Sequence, residues 1–230
     1  MKKIGVRGVI VSNDEKWIYD WFGMDSTCPS DVQKVLSEAK GESVLVEINS
    51  GGGDLFAGSE IYSSLKAYEG DVEIHIMGLA ASAASIIAQA GKSKISPTAM
   101  FMVHNVSGGA CGDYHDMLHQ AEVLETANRA VAGAYMEKTG KTMEELQEIM
   151  DKETWLDAVK AVEHGFVDEV MFANAPVFTN GFGMLSADTI EKMRMTIGSP
   201  QRAEEPKENA ELAKAKLNLL RKRGDVRNEI

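Results

Sequence analysis

Cysteine is scarce in this chain: Cys28 and Cys111 are the only two among 230 residues, and neither belongs to a CxxC pair or to a histidine-rich metal spacing. That excludes a disulfide framework and a zinc site of ordinary spacing, and a reducing, cytoplasmic compartment is expected. Basic residues are outnumbered, 24 Lys+Arg against 35 Asp+Glu, for a formal net charge of −11. Nucleic-acid affinity rests mainly on clustered Lys and Arg, so no nucleic-acid partner is expected. Long apolar runs are missing too, since no stretch reaches the roughly 20 residues a helix needs to cross a bilayer, and no membrane partner is expected. The basic opening, Met1 to Arg7, is interrupted by Arg7 and Asn13 before any apolar run forms, which is not the pattern of a signal peptide. What is present is ordinary: 44% hydrophobic and 26% charged residues fit one globular domain plus an appendage.

Short β-rich runs alternate with helical patterns. Ile4 to Val11 reads as a strand, Ser30 to Ala39 as a helix, Ser43 to Ile48 as a strand and Leu55 to Tyr68 as a helix, which is βαβα order. The next unit repeats it, with a strand from Val72 to Met77 and a small-residue helix from Ala80 to Ala90 closed by Gly91. Ile95 and Met100 to Val103 read as further short strands. From Asp113 to Lys138 the positions Leu118, Ala121, Leu124, Ala127, Val131, Ala134 and Tyr135 recur at helical spacing, ending at Gly140. Thr142 with Glu145 forms a capping-box pattern for a helix ending near Lys152, and Asp157 caps a shorter helix ending at Gly165. Phe166 to Phe172 reads as a closing strand. These observations place one domain over residues 1–175. Residues 176–230 read as a flexible tail in which Glu211 to Arg223 can form a short helix with a Leu212, Ala215, Leu219 stripe. That stripe is too small to fold alone, and the tail is either ordered by a partner or disordered.

Four segments could carry chemistry. In Ile48-Asn49-Ser50-Gly51-Gly52-Gly53 a strand runs into three glycines and then a helix, a turn that can bring backbone N–H groups close to a ligand atom. The Gly-Lys-Ser/Thr ending of a phosphate loop is absent. Gly78-Leu79-Ala80-Ala81-Ser82-Ala83-Ala84-Ser85 sets Ser82 at a helix start after a strand, where unpaired N–H groups can stabilise an oxyanion. Taken alone, a serine among alanines is more often a packing residue, and Ser85 is a competing hydroxyl. Met100-Phe101-Met102-Val103-His104-Asn105 ends an apolar strand on a histidine, the side chain suited to activating a hydroxyl near neutral pH. By itself a histidine at a strand end is more often a satisfied structural residue. His115, His119 and His164 read as surface or packing residues, and His75, inside a strand, as facing the core edge. In Asp151-Lys152-Glu153-Thr154-Trp155-Leu156, carboxylates precede an aromatic expected to pack down, and one of them could orient the base or simply be solvated charge.

With these segments in this order, the chain resembles the ClpP family of self-compartmentalising serine peptidases, and more closely its shorter phage and prophage members associated with capsid maturation. The likeness runs from about Ile4 to Phe172 and is carried by Ile-Asn-Ser-x-Gly-Gly, Gly-x-Ala-Ala-Ser, Met-Val-His-Asn and Ala-Val-Glu-His-Gly-Phe-Val-Asp. It implies an α/β fold, a ClpP/crotonase-like spiral of βαβ units. It also implies a serine-type endopeptidase with Ser82 as nucleophile, His104 as base, oxyanion donors from the backbone of Gly53 and Ala83, and substrate contacts at Gly52 and Asn105. Asn49 and Ser50 shape the glycine turn. The third catalytic position aligns with Glu153, where the family usually has Asp, and Asp151 is the alternative. No metal or organic cofactor is implied. The expected partners are peptide or protein substrates, including capsid or scaffold proteins, and further copies of the chain in a ring of six or seven subunits, stacked through the helix from Asp113 to Lys138. The chain enters its first strand at Ile4 with no preceding docking loops, so ATP-independent action without a conventional Clp ATPase is expected.

Two rivals accompany this reading. A crotonase-type acyl-CoA enzyme shares the spiral and its backbone oxyanion holes but polarises a thioester with carboxylates, not with a serine nucleophile. A catalytically idle assembly protein would keep the ring and lose the chemistry.

Overall fold

The computed structural model describes residues 1–172. The expected tail, with its helix over Glu211 to Arg223, lies outside the described residues. The elements in chain order are β1 (Lys2–Ile10), α1 (Lys16–Phe22), β2 (Ser26–Thr27), α2 (Pro29–Ala39), β3 (Val44–Gly53), α3 (Leu55–Lys66), β4 (Val72–Ala81) and α4 (Ala83–Ile87). A 3₁₀ turn, Ala88–Ala90, is followed by β5 (Lys92–Ile95), β6 (Met100–Val103), α5 (Tyr114–Thr139), α6 (Met143–Asp151), β7 (Thr154–Asp157), α7 (Ala158–Glu163) and β8 (Glu169–Val170). The strands form one sheet in the order β2-β1-β3-β4-β5-β8, with β6 alongside the far end of β4 and β7 antiparallel to β6. All other pairings are parallel, the topology expected of successive βα units covered by helices.

One face of the central strands is apolar and covered by helices, while the other carries Glu47, Glu73, His75 and Lys94 in ion pairs. Val44, Val46, Ile48, Ile74 and Ile76 are completely buried, and α2, α3 and α4 bring Val32, Ile61, Leu65 and Ile87 onto them. Thr142 and Asp157 cap α6 and α7 as their spacing predicts, each accepting a hydrogen bond from the backbone N–H three residues on, and Asp113 does the same for α5.

Several boundaries differ from expectation. β3 continues through Gly53 because β1 keeps pairing with it, Ile10 opposite Gly53. β4 continues to Ala81, so the alanines expected to open a helix are buried in a strand, with Leu79, Ala80 and Ala81 paired to Met100, Phe101 and Met102. Tertiary pairing here overrides the helix preference of alanine, and helix starts only after Ser82. The closing strand shrinks to Glu169–Val170, the two residues that find partners on β5. Helix α1 and strand β7 were not expected. Trp155, expected to pack down, is 47% exposed, because on β7 it is the neighbouring Leu156 that faces inward.

Candidate active site

Ser82 occupies the single residue between β4 and α4. Its φ of 54° and ψ of −126° lie outside the regions an L-residue prefers. Such a conformation costs about 1–3 kcal/mol, persists only when its surroundings enforce it, and clusters at functional sites. Here both sides enforce it. The Ser82 N–H donates to Met102 O of β6 at 3.2 Å, and the Ser82 carbonyl accepts from Ser85 N–H at 2.9 Å as α4 begins. The side chain is thereby held off both the strand and the helix, with Oγ 2.8 Å from His104 Nε2. His104 follows β6 directly, and β6 pairs with the end of β4, so one patch of sheet fixes both groups.

The glycine turn supplies the floor. Gly52 is buried with φ +94°, and a Cβ there would lie 2.7 Å from Ser82 Cβ and 2.8 Å from Ala81 O. Its N–H donates to Ser50 Oγ at 3.0 Å, and Ser50 Oγ donates to Gly8 O at 2.7 Å. Ser50 thus shapes the turn, and Gly52, expected as a substrate contact, lies beneath the nucleophile with its N–H held by Ser50. At Gly53 a Cβ would lie 2.1 Å from Ile10 O, so only glycine fits.

Ser82, Ala83, Gly53 and His104 open together into a cleft of about 400 Å³. One wall is Asp54 to Phe56 at the start of α3, and the other is formed by Val106 to Gly108 with Gln120, Val123 and Leu124 of α5. The lining mixes apolar side chains with a few polar groups, the usual make-up of a pocket for an organic substrate. The contribution of α5 was hidden in the sequence, where Leu124 is only one position in a helical stripe.

The remaining predicted residues are placed differently. Asn105 donates from Nδ2 to Asp151 Oδ1 at 2.7 Å, and its Oδ1 is buried without a partner among the described residues, so its side chain is committed to α6 and does not line the cleft. Glu153 follows α6 with φ 47°; Val103 pairs with Thr154, so Glu153 comes next to His104 along the antiparallel register. Its Oε1 accepts from Trp155 Nε1 at 3.3 Å, and no hydrogen bond joins it, or Asp151, to His104 among the described residues. Ser85 is fully buried and cannot meet a substrate. Among the other histidines, His75 pairs with Glu73 at 3.0 Å on β4 and takes no part in the cleft.

A strained serine bonded to a histidine at the head of a cleft, on a parallel sheet of βα units, is the constellation of a serine-type hydrolase. Known proteins make the class specific. A family model described as Clp protease matches residues 31–174, more than half of the chain. The "ATP-dependent Clp protease proteolytic subunit 1" of Streptomyces coelicolor is 33% identical over 140 residues, 60% of this chain and 64% of that protein. That of Corynebacterium jeikeium is 38% identical over 127 residues, 54% of this chain and 68% of that protein. The "ATP-dependent Clp protease proteolytic subunit" of Streptococcus mutans is 32% identical over 136 residues, 57% and 69%. This chain therefore spans less than two thirds of the Streptomyces relative's length and slightly more of the other two. The chain belongs to the Clp protease family, a family of serine-type peptidases.

Proposed function

We propose that the protein is a serine endopeptidase acting on peptide or protein substrates. The hydrogen bond between Ser82 Oγ and His104 Nε2, at a strained turn that opens into the cleft, carries this reading. In the proposed reaction Ser82 Oγ attacks the scissile carbonyl as its proton passes to His104 Nε2. The oxyanion is held by the N–H groups of Gly53 and Ala83, and His104 then protonates the leaving amine. Water completes the cycle by the same route and frees Ser82. Glu153 is assigned the role of orienting His104, supported by its register next to that residue; its carboxylate must leave the Trp155 indole to do so.

The first half of α5 leaves Tyr114, Met117, Leu118 and Val123 exposed, whereas Val131, Ala132 and Tyr135 of the second half are buried. Exposed apolar surface of this kind marks contacts between chains, which supports the stacking of rings, of six or seven subunits each in this reading, through this helix. The narrower reading, a phage-type enzyme processing capsid or scaffold proteins, is supported by the sequence resemblance. Hydrolysis of a fluorogenic peptide library by the purified chain, without nucleotide and lost in Ser82→Ala, tests the peptidase. Turnover of acyl-CoA thioesters with no peptide hydrolysis would instead favour the crotonase-type reading.

A further inference from the structure

Ser85, the second hydroxyl of the nucleophile segment, has two side-chain contacts: the Ser82 carbonyl oxygen at 2.6 Å and the Tyr135 hydroxyl at 2.7 Å. A carbonyl oxygen only accepts, so the single Ser85 proton goes to Ser82. The other contact must then be filled by the proton of Tyr135, and the chain acquires one direction: Tyr135 O–H to Ser85 Oγ, and Ser85 O–H to Ser82 O. Burial pushes the Tyr135 phenol up from its ordinary pKa, which keeps it a donor at neutral pH.

Both ends of this chain are fixed. The Ser82 carbonyl accepts from the Ser85 hydroxyl at 2.6 Å, its shortest contact, from the Ser85 N–H at 2.9 Å and from the Ile86 N–H at 3.4 Å. Tyr135 lies on α5, 1% exposed, edge-on to Phe166 at 5.5 Å between ring centres, and Phe166 stacks on Phe101 of β6 at 5.4 Å. β6 is the strand that delivers His104. An aromatic stack therefore references the hydroxyl pair to the same strand that positions the base.

We propose that Tyr135 and Ser85 are positioning residues for the nucleophile: they hold the carbonyl of Ser82 so that its strained backbone cannot relax and carry Oγ away from His104. This rests on the reading of Ser82 as nucleophile. Ser85 is fully buried and Tyr135, 1% exposed, borders the cleft; both act through the Ser82 main chain.

The test measures, on the full chain, the rate of Ser82 labelling by a fluorophosphonate, its pH dependence and the Tm for wild type, Tyr135→Phe, Ser85→Ala and the double variant. Each single variant is expected to slow labelling roughly three- to tenfold, the effect of one neutral hydrogen bond, with the pH midpoint unchanged because His104 is untouched. Ser85→Ala leaves the Tyr135 hydroxyl buried without a partner and lowers Tm. Adding Tyr135→Phe removes that orphan and restores Tm while labelling stays slow. A merely structural pair would regain its labelling rate together with Tm, which overturns the proposal, as do wild-type rates in both single variants. Should Ser85→Ala fail to fold, Tyr135→Phe, which only deletes a hydroxyl, decides alone. A wild-type protein that is not labelled overturns the nucleophile reading and this inference with it, whereas a labelled wild type with undiminished variants overturns this inference only.

Discussion

Gly52→Ala is the substitution whose consequence is most directly fixed by geometry. A Cβ at Gly52 would meet Ser82 Cβ at 2.7 Å, Ala81 O at 2.8 Å and Ala83 N at 3.0 Å, and the residue has φ +94°. All three neighbours belong to the turn that presents the nucleophile, so relief of the clash must displace Ser82. The backbone conformation alone costs a non-glycine residue about 1–3 kcal/mol, and each kcal/mol lowers Tm by about 2–4 °C in a domain of this size. The effect on chemistry is larger, because a displacement on the order of 1 Å between reacting groups costs roughly 100-fold in rate. Gly51→Ala is the control: a Cβ there meets nothing within 4 Å, and its φ is unremarkable. Fluorophosphonate labelling followed by intact mass, with Tm measured in parallel, should show Gly51→Ala near wild type. Gly52→Ala should be folded, several degrees less stable and about 100-fold slower. Equal labelling of the two variants would refute the claim that Gly52 supports the nucleophile from beneath.

Three further outcomes follow from the same geometry. If Glu153 orients His104, Glu153→Gln slows peptide hydrolysis roughly 10²- to 10⁴-fold while Asp151→Asn, which disturbs only the contact with Asn105, stays near wild type; the reverse ranking would reassign the role to Asp151. Asp168 accepts from Ser93 N–H and Lys138 Nζ; burial works to raise its pKa, but these donors hold it below the ordinary aspartate value. A depressed carboxylate stabilises the fold above its unfolded pKa, about 3.9, and the gain disappears as pH falls through the lower folded value. The Tm advantage of wild type over Asp168→Asn should accordingly be full at pH 7 and vanish in the acid limb, whereas a pH-independent difference would show that the carboxylate charge is not the cause. Exposed apolar residues on α5 predict assembly: sedimentation should show a closed oligomer at micromolar concentration, shifted toward a smaller species by Leu118→Glu, and a wild-type monomer would count against the ring.

The alternation of β and helical patterns was legible because the central strands put a row of buried Val and Ile on one face and several helices carry recognisable caps. Residues whose structure depends on distant pairing were not. Ala80 and Ala81 look helical in isolation and are strand because β6 pairs with them. β7 is four residues of mixed character, defined only by its antiparallel partner β6. Helix α1 spans seven residues, has no side-chain cap and exposes Trp17 and Phe22, so neither capping nor a buried stripe announces it. At the site, the glycine turn and the serine–histidine pair could be read from motif order, since Gly52 and Gly53 occupy places no side chain fits. The side-chain partners could not: Glu153 on Trp155, Asn105 on Asp151 and Ser85 beneath Ser82 are set by rotamers and by the register of β6 against β7.

Mapping the residue modified by a fluorophosphonate, in wild type, Ser82→Ala and His104→Ala, tests the central claim most directly. The 2.8 Å contact between Ser82 Oγ and His104 Nε2 predicts labelling confined to Ser82 and lost in both variants. Labelling of another serine, or labelling of Ser82 that survives the loss of His104, would contradict it.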